Sequence, residues 1–211
     1  GGVDMSDHEV NLKILLAPAI TSGSISVGNR NELLEELTES VAELVLNDNQ
    51  SQSLAISLDQ LRARESVDDF RGLMFALEKG GELDRTSEHL PTADALVERR
   101  ESGHILTRPE LSVLLAYSKL SLMSSLLRSG LPDDLVTESY LLEYFPVSAI
   151  AAAGRESLET HRLRRQIIAS QLTNDLVDLM GSAFVNRLIR DTGQTAQEVT
   201  SAWLIASRLA D

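Results

Sequence analysis

The stretch that most constrains this chain is residues 104–134, HILTRPELSVLLAYSKLSLMSSLLRSGLPDD. It carries a helix start, a long apolar middle and a helix stop, in that order. Thr107 stands where its hydroxyl can accept a first-turn N–H, Pro109 lies in the first turn where its missing N–H costs nothing, and Glu110 is placed to reach back to the cap. Gly130 and Pro132 then close the end. Between these marks Leu111, Leu114, Leu115, Leu120, Leu122, Met123, Leu126 and Leu127 occupy nearly every side of the cylinder. A helix apolar all round needs neighbours all round. The fold class predicted is all-α, a multi-helix bundle around a central apolar helix at about residues 106–129.

The rest of the sequence agrees with that class. Leu33, Leu34, Leu37, Val41, Leu44 and Val45 recur at spacings of three and four. Leu54, Leu58 and Leu61 stay in phase, so one long helix and two helices broken near Asn47 to Asn49 are both open. Ser66 opens a further helix through Phe70, Leu73, Met74 and Leu77 that stops at Gly80-Gly81, and short pieces are expected at 83–88 and 92–102. DDLVTESYLLEYF reads as a helix halted by Pro146, and a long helix is predicted near 156–180 from Ile168, Leu172, Leu176 and Met180 at i+4 spacing. Thr195 and Glu198 form a capping box ahead of Val199, Ala202, Trp203 and Leu209. Ser6-Asp-His-Glu9 has the same form, which predicts a short helix capped by Ser6 and ended by Pro18, with AITSGSISVGNR as a loop behind it. Aromatic residues are only 4% against 43% hydrophobic, so the core is aliphatic and helical.

Charge and residue inventory exclude several functions. A net charge of −13 repels nucleic acid and anionic membranes, and no apolar run approaches the roughly 18 residues that span a bilayer. The absence of cysteine fits a cytoplasmic location. His8, His89, His104 and His161 lack the spacing that puts two metal ligands on one helix face, so they read as surface or capping residues and no metal is expected. Neither a nucleophile elbow nor a phosphate loop is present. Asp68-Asp69 and Asp133-Asp134 fall in expected first turns, where they complement the helix dipole. The basic cluster Arg155, His161, Arg162, Arg164 and Arg165 lacks interleaved aromatics. Arg162, Arg164 and Arg165 are expected to pair with acidic groups across helices or at an interdomain contact, with Asn174 and Asp175 as candidate partners. Residue chemistry alone therefore yields a helical bundle with no catalytic residue, and a non-enzymatic helical interaction module stays open.

Certain polar runs are too irregular for generic helix patterning. GGVDMSDHEVNLKILL resembles the segment G-V-D-x-S-D-H-E-V-N-x-K-I-L of the large bacterial NAD-specific glutamate dehydrogenases, and LTRPELSVLLAYSKLSL, SGLPDD, YFP, HRLRRQIIASQLTNDLVDLMG and FVNRL are similar to later stretches of that family in the same order. The resemblance implies an oxidoreductase in which a hydride passes from L-glutamate to NAD, giving 2-oxoglutarate and ammonia after imine hydrolysis. It implies that residues 1–20 are the tail end of the catalytic region, 21–30 a linker and 31–211 a helical C-terminal domain. The family's catalytic residues and dinucleotide fingerprint are expected upstream, so the chain is expected to be a fragment, inactive alone. Its role is then structural, oligomeric or regulatory. The implied partners are the upstream catalytic domain, further copies in a homo-oligomer, and L-glutamate. By similarity to the N-A-G-G-V-x-x-S element of small glutamate dehydrogenases, Gly2 and Val3 are expected near the cofactor, and Ser6 at the substrate's side-chain carboxylate. A hydroxyl has lone pairs and a proton, so Ser6 is able to cap and to bind.

Overall fold

A computed structural model describes residues 2–101, 103 and 105–210. His104, read above as a surface or capping residue, and Gly1 lie outside the described residues. Among these the chain forms only helices: α1 (Gly2–Thr21), α2 (Val27–Glu36), α3 (Thr38–Glu65), α4 (Val67–Lys79), α5 (Ala93–Glu101), α6 (Arg108–Leu127), α7 (Glu138–Tyr144), α8 (Val147–Ala153), α9 (Arg155–Glu159), α10 (Arg164–Met180), α11 (Phe184–Thr192) and α12 (Ala196–Ala210), with short 3-10 turns at Leu131–Asp133 and Leu135–Thr137. The all-α expectation holds. Two compact units share the chain, Gly1–Gln50 with Pro132–Leu172, and Ser51–Leu131 with Thr173–Asp211.

In the first unit α1 packs against α2, α8 and α9. Its core joins Leu12 and Leu15 of α1, Leu37, Val41 and Val45 around the start of α3, Leu141, Tyr144 and Phe145 at the end of α7, and Leu158, Ile167 and Ile168. Two expectations about α1 are corrected. Ser6 is not its cap, because the helix already begins at Gly2 and places Ser6 inside. Val3 and Asp4 are weak helix formers, but Asp4 complements the first-turn dipole and Met5 packs on the core. Pro18 does not end the helix, which runs to Thr21. Burial of Leu15, Leu16 and Ala19 around the proline offsets its lost hydrogen bond. The loop behind is accordingly shorter, since Ser26 accepts from the Asn29 N–H at 3.1 Å and starts α2. The break between α2 and α3 falls at the buried Leu37 and not near Asn47 to Asn49. There α3 is continuous, one of the two arrangements left open, and Asn49 Nδ2 donates to the Val45 carbonyl at 2.8 Å, so the side chain supports the turn. The helix near 156–180 is in two pieces, with α9 one turn ahead of α10.

The second unit surrounds α6. Leu111 and Leu114 join Ala63, Phe70, Leu73, Met74, Leu77, Leu83, Leu90 and Leu96 in one core, with α4 and α12 against α6 and α11 against α4 and α12. The cap of α6 is as expected, with the Thr107 N–H donating to Glu110 Oε2 at 2.7 Å and the Thr107 hydroxyl facing the Glu110 N–H. One sequence expectation is revised. By length and composition α6 is apolar enough to match a membrane span. Its leucines Leu111, Leu114, Leu115, Leu122 and Leu126 are nonetheless buried in this protein core, and Lys119 on the same helix pairs with Asp178 at 2.7 Å. Burial holds the Asp178 carboxyl above the usual carboxylate range, partly offset by Lys119. Residues 83–88 form turns in place of the short helix expected there.

Candidate functional site

The N-terminal half of α1 presents two faces. One lines an open groove of about 510 Å³ with Gly2, Met5, Ser6, Glu9 and Leu12 of α1 opposite Leu34, Glu35, Thr38 and Val41. Gly2, Val3 and Ser6, the residues expected at a cofactor and substrate wall, are all exposed. Val3 is 83% exposed, and a Cβ built on Gly2 would meet nothing within 4 Å. The Ser6 hydroxyl makes no hydrogen bond to any described residue, so both its donor and its acceptors face the groove or solvent. Glu9 is spanned by Lys13 at 2.5 Å, which offsets one of the two carboxylates in the groove.

The other face carries a buried polar cluster. Tyr144 Oη accepts from Asn11 Nδ2 at 2.9 Å and donates to Asp7 Oδ2 at 2.9 Å. The His8 ring stacks on Tyr144 with centroids 4.2 Å apart, and Phe145 meets Tyr144 edge-on at 4.9 Å. His161 lies 5.4 Å from Phe145. Its Nδ1 accepts the Leu163 N–H at 3.2 Å, which places the proton on Nε2, and Nε2 donates to the Asn11 carbonyl at 3.1 Å. The ring is therefore held neutral. Burial pushes the His161 pKa down, with the charge of Arg162 adding to it against the Asn11 bond, and burial likewise lowers that of His8 against the pull of Asp7 and Asp4. Burial and the bond to Asp7 push the Tyr144 phenol well up. His8 Nδ1 and Asn11 Oδ1 are buried without a hydrogen-bond partner among the described residues.

This cluster corrects the reading of His8 and His161 as surface or capping residues, since they are only 5% exposed. His89 is exposed, with φ at 54°. Asp7, Asn11 and Tyr144 stand at no spacing in the sequence that marks them as a functional set. A sign was nevertheless present. SDHEVN, YFP and HRLRR, which carry the family resemblance, are distant in sequence and meet here through Asp7, His8, Asn11, Tyr144, Phe145 and His161.

The three arginines expected at an interdomain contact behave differently from one another. Arg165 pairs with Asp133, and Arg164 Nη1 donates to the Pro132 carbonyl at 3.3 Å, so both tie the start of α10 to the turn at 131–133. Arg162 is exposed and meets no acidic partner among the described residues; it lines a groove with Val10, Lys13, Ile14 and His161. Arg155 pairs with Glu138 at 2.9 Å and Glu159 at 2.7 Å. Among the described residues no three His, Asp or Glu side chains gather as metal ligands would.

Fold and geometry together define an all-helical chain bearing an open, glycine-edged groove braced from behind by a buried polar cluster, with no glycine-rich dinucleotide loop in its sequence. Comparison with known proteins makes the class specific. The family described as glutamate dehydrogenase, C-terminal, matches residues 103–210, and the family described as bacterial NAD-glutamate dehydrogenase, catalytic domain, matches residues 1–59. The chain belongs to the bacterial NAD-glutamate dehydrogenase family, as a C-terminal portion of it. It is 45% identical over 205 residues to the NAD-specific glutamate dehydrogenase of Pseudomonas aeruginosa, which covers 97% of this chain and 13% of that protein. The corresponding protein of Halomonas elongata is 41% identical, covering 98% of this chain and 13% of its own length. That of Mycobacterium tuberculosis is 38% identical, covering 92% and 12%. The chain thus spans about an eighth of the length of these relatives.

Proposed function

We propose that this chain is the C-terminal helical portion of an NAD-dependent glutamate dehydrogenase, in which L-glutamate, NAD and water give 2-oxoglutarate, ammonia and NADH. NAD, bound mostly by residues upstream, supplies the hydride acceptor. Residues 1–20 serve as the tail of the catalytic region, 21–30 as the connection and 31–211 as the helical C-terminal domain, with a structural, oligomeric or regulatory role. The polypeptide works in the cytoplasm as a homo-oligomer, and its catalytic domain is the first partner of these helices.

The observation that carries this reading is the state of the α1 surface. Gly2 and Val3 fit the edge of a cofactor site, because no side chain bars approach to the Gly2 backbone. They do not fit as its whole, because no loop here could cradle a pyrophosphate. Ser6 offers an unspent hydroxyl beside them. Arg162, with no acidic partner among the described residues, is the best placed of the three arginines for an interdomain contact, whereas Arg164 and Arg165 act by fastening α10 in place. The test is direct. The complete polypeptide carrying this sequence should form NADH from L-glutamate and NAD, and its failure to do so would sink the reading.

A further inference from the structure

We propose that Tyr144 is a positioning residue for glutamate binding, setting the rotation of α1 about its axis so that Ser6 faces the substrate. The inference rests on the reading of α1 as part of the substrate wall.

Asp7 and Asn11 are one helical turn apart, and one phenol oxygen joins both, donating to the first and accepting from the second at 2.9 Å each. A single apolar contact would let a helix roll by several degrees, because dispersion is non-directional. Two hydrogen bonds from one rigid oxygen to successive turns do not, since each weakens steeply with misalignment. Tyr144 is itself held on both sides, by stacking of His8 and by the edge of Phe145, and is only 5% exposed. Ser6 is adjacent to Asp7, so rotation that breaks the Asp7 bond swings the Ser6 hydroxyl by the same angle. His161 adds a third point of attachment at the Asn11 carbonyl. None of Asp7, His8, Asn11, Tyr144, Phe145 and His161 lines the Ser6 groove. The cluster's influence on substrate runs through the helix.

The test uses the full-length enzyme and four variants. Tyr144→Phe keeps both ring contacts and removes only the bridging hydroxyl. Asp7→Leu removes the acceptor and leaves the phenol its bond from Asn11. Each should raise KM for glutamate about three- to tenfold, a factor that corresponds to a fraction of one well-made contact, while KM for NAD moves less than about twofold. Asp7→Asn, which keeps a carbonyl oxygen for the phenol, should raise KM for glutamate less than Asp7→Leu. A general loss of stability would lower active-enzyme concentration and kcat, and would not separate the two KM values. Ser6→Ala is the reference. If it raises KM for glutamate while Tyr144→Phe and Asp7→Leu leave it unchanged, positioning by Tyr144 is wrong and the substrate wall stands. If Ser6→Ala itself leaves KM for glutamate unchanged, the wall reading fails and the positioning role fails with it.

Discussion

Single residues in this chain are fixed by neighbours that sequence spacing does not reveal. Gly181 is the sharpest case. Its φ is +95°, and a Cβ built on it would lie 2.5 Å from Asp59 Oδ1 and 2.8 Å from Arg62 Nη1. Those atoms cannot withdraw cheaply. Asp59 is fully buried and accepts from the Ser182 N–H at 3.0 Å, the Ser182 hydroxyl at 2.6 Å and Arg62 at 3.0 Å, while Arg62 also donates to the Leu179 carbonyl at 2.9 Å. Gly181→Ala should therefore cost about 3 kcal/mol, from the left-handed backbone and the displaced carboxylate together, measured as a shift in urea unfolding. The buried histidines make a second residue-level prediction. An unfolded imidazole takes up its proton near pH 6.5, and burial makes folded His8 and His161 take it up lower. Below about pH 6.5 the unfolded chain then binds more protons than the folded one, so stability falls as pH falls. The contribution is whole above that pH and is lost as pH drops through the folded values. Urea midpoints of the chain should decrease between about pH 7.5 and about pH 5.5, and the decrease should shrink in His8→Phe, which keeps the stack on Tyr144 and removes one titrating ring.

At the scale of elements, local chemistry decides a helix end only where nothing upstream can extend the helix. Thr107 and Ser6 both sit three residues ahead of a glutamate, and the sequence offers the same capping box at each. Thr107 has extended backbone, with φ −80° and ψ 160°, and the box forms. Ser6 lies within α1, because the residues from Gly2 to Met5 are helical and Met5 has a core to pack on. Thr107→Ala should cost about 1 kcal/mol in unfolding free energy, whereas Ser6→Ala should change it by less than about 0.5 kcal/mol. Equal losses in the two variants would show that Ser6 caps after all. The same reasoning explains which boundaries the sequence made legible. Strong apolar periods and paired start and stop residues located α4, α6 and α12. Pro18 misled, because tertiary burial of Ala19 outweighed the local preference to break, while the polar stretch around Asn49 left one helix and two equally open until the side-chain bond to Val45 carried α3 through it.

For the whole molecule, what sequence made legible was family and class, while the organisation of the interior was not. Periodicity says that Leu12, Leu15 and His8 share a face, but not that Tyr144 and His161 complete it, since those residues lie more than a hundred positions away. Nor does periodicity show that α3 and α10 each lend one half to a different compact unit, because an uninterrupted helical stripe looks the same whether one core or two receive it. The candidate site has the opposite character, being a surface left open. Gly2, Val3 and Ser6 offer a ligand one free hydroxyl and an unobstructed backbone edge, with two groove carboxylates nearby. Association costs several kcal/mol of lost translational and rotational freedom before any contact repays it, and one or two exposed hydrogen bonds at about 1 kcal/mol each do not. The isolated 211 residues should accordingly give no saturable heat when titrated with millimolar NAD or L-glutamate, and no NADH when supplied with both. Turnover by the pure chain would require a complete dinucleotide site within these helices. Saturable binding without turnover would instead place a separate ligand site in one of the two units, and the Ser6→Ala variant would tell whether α1 is part of it.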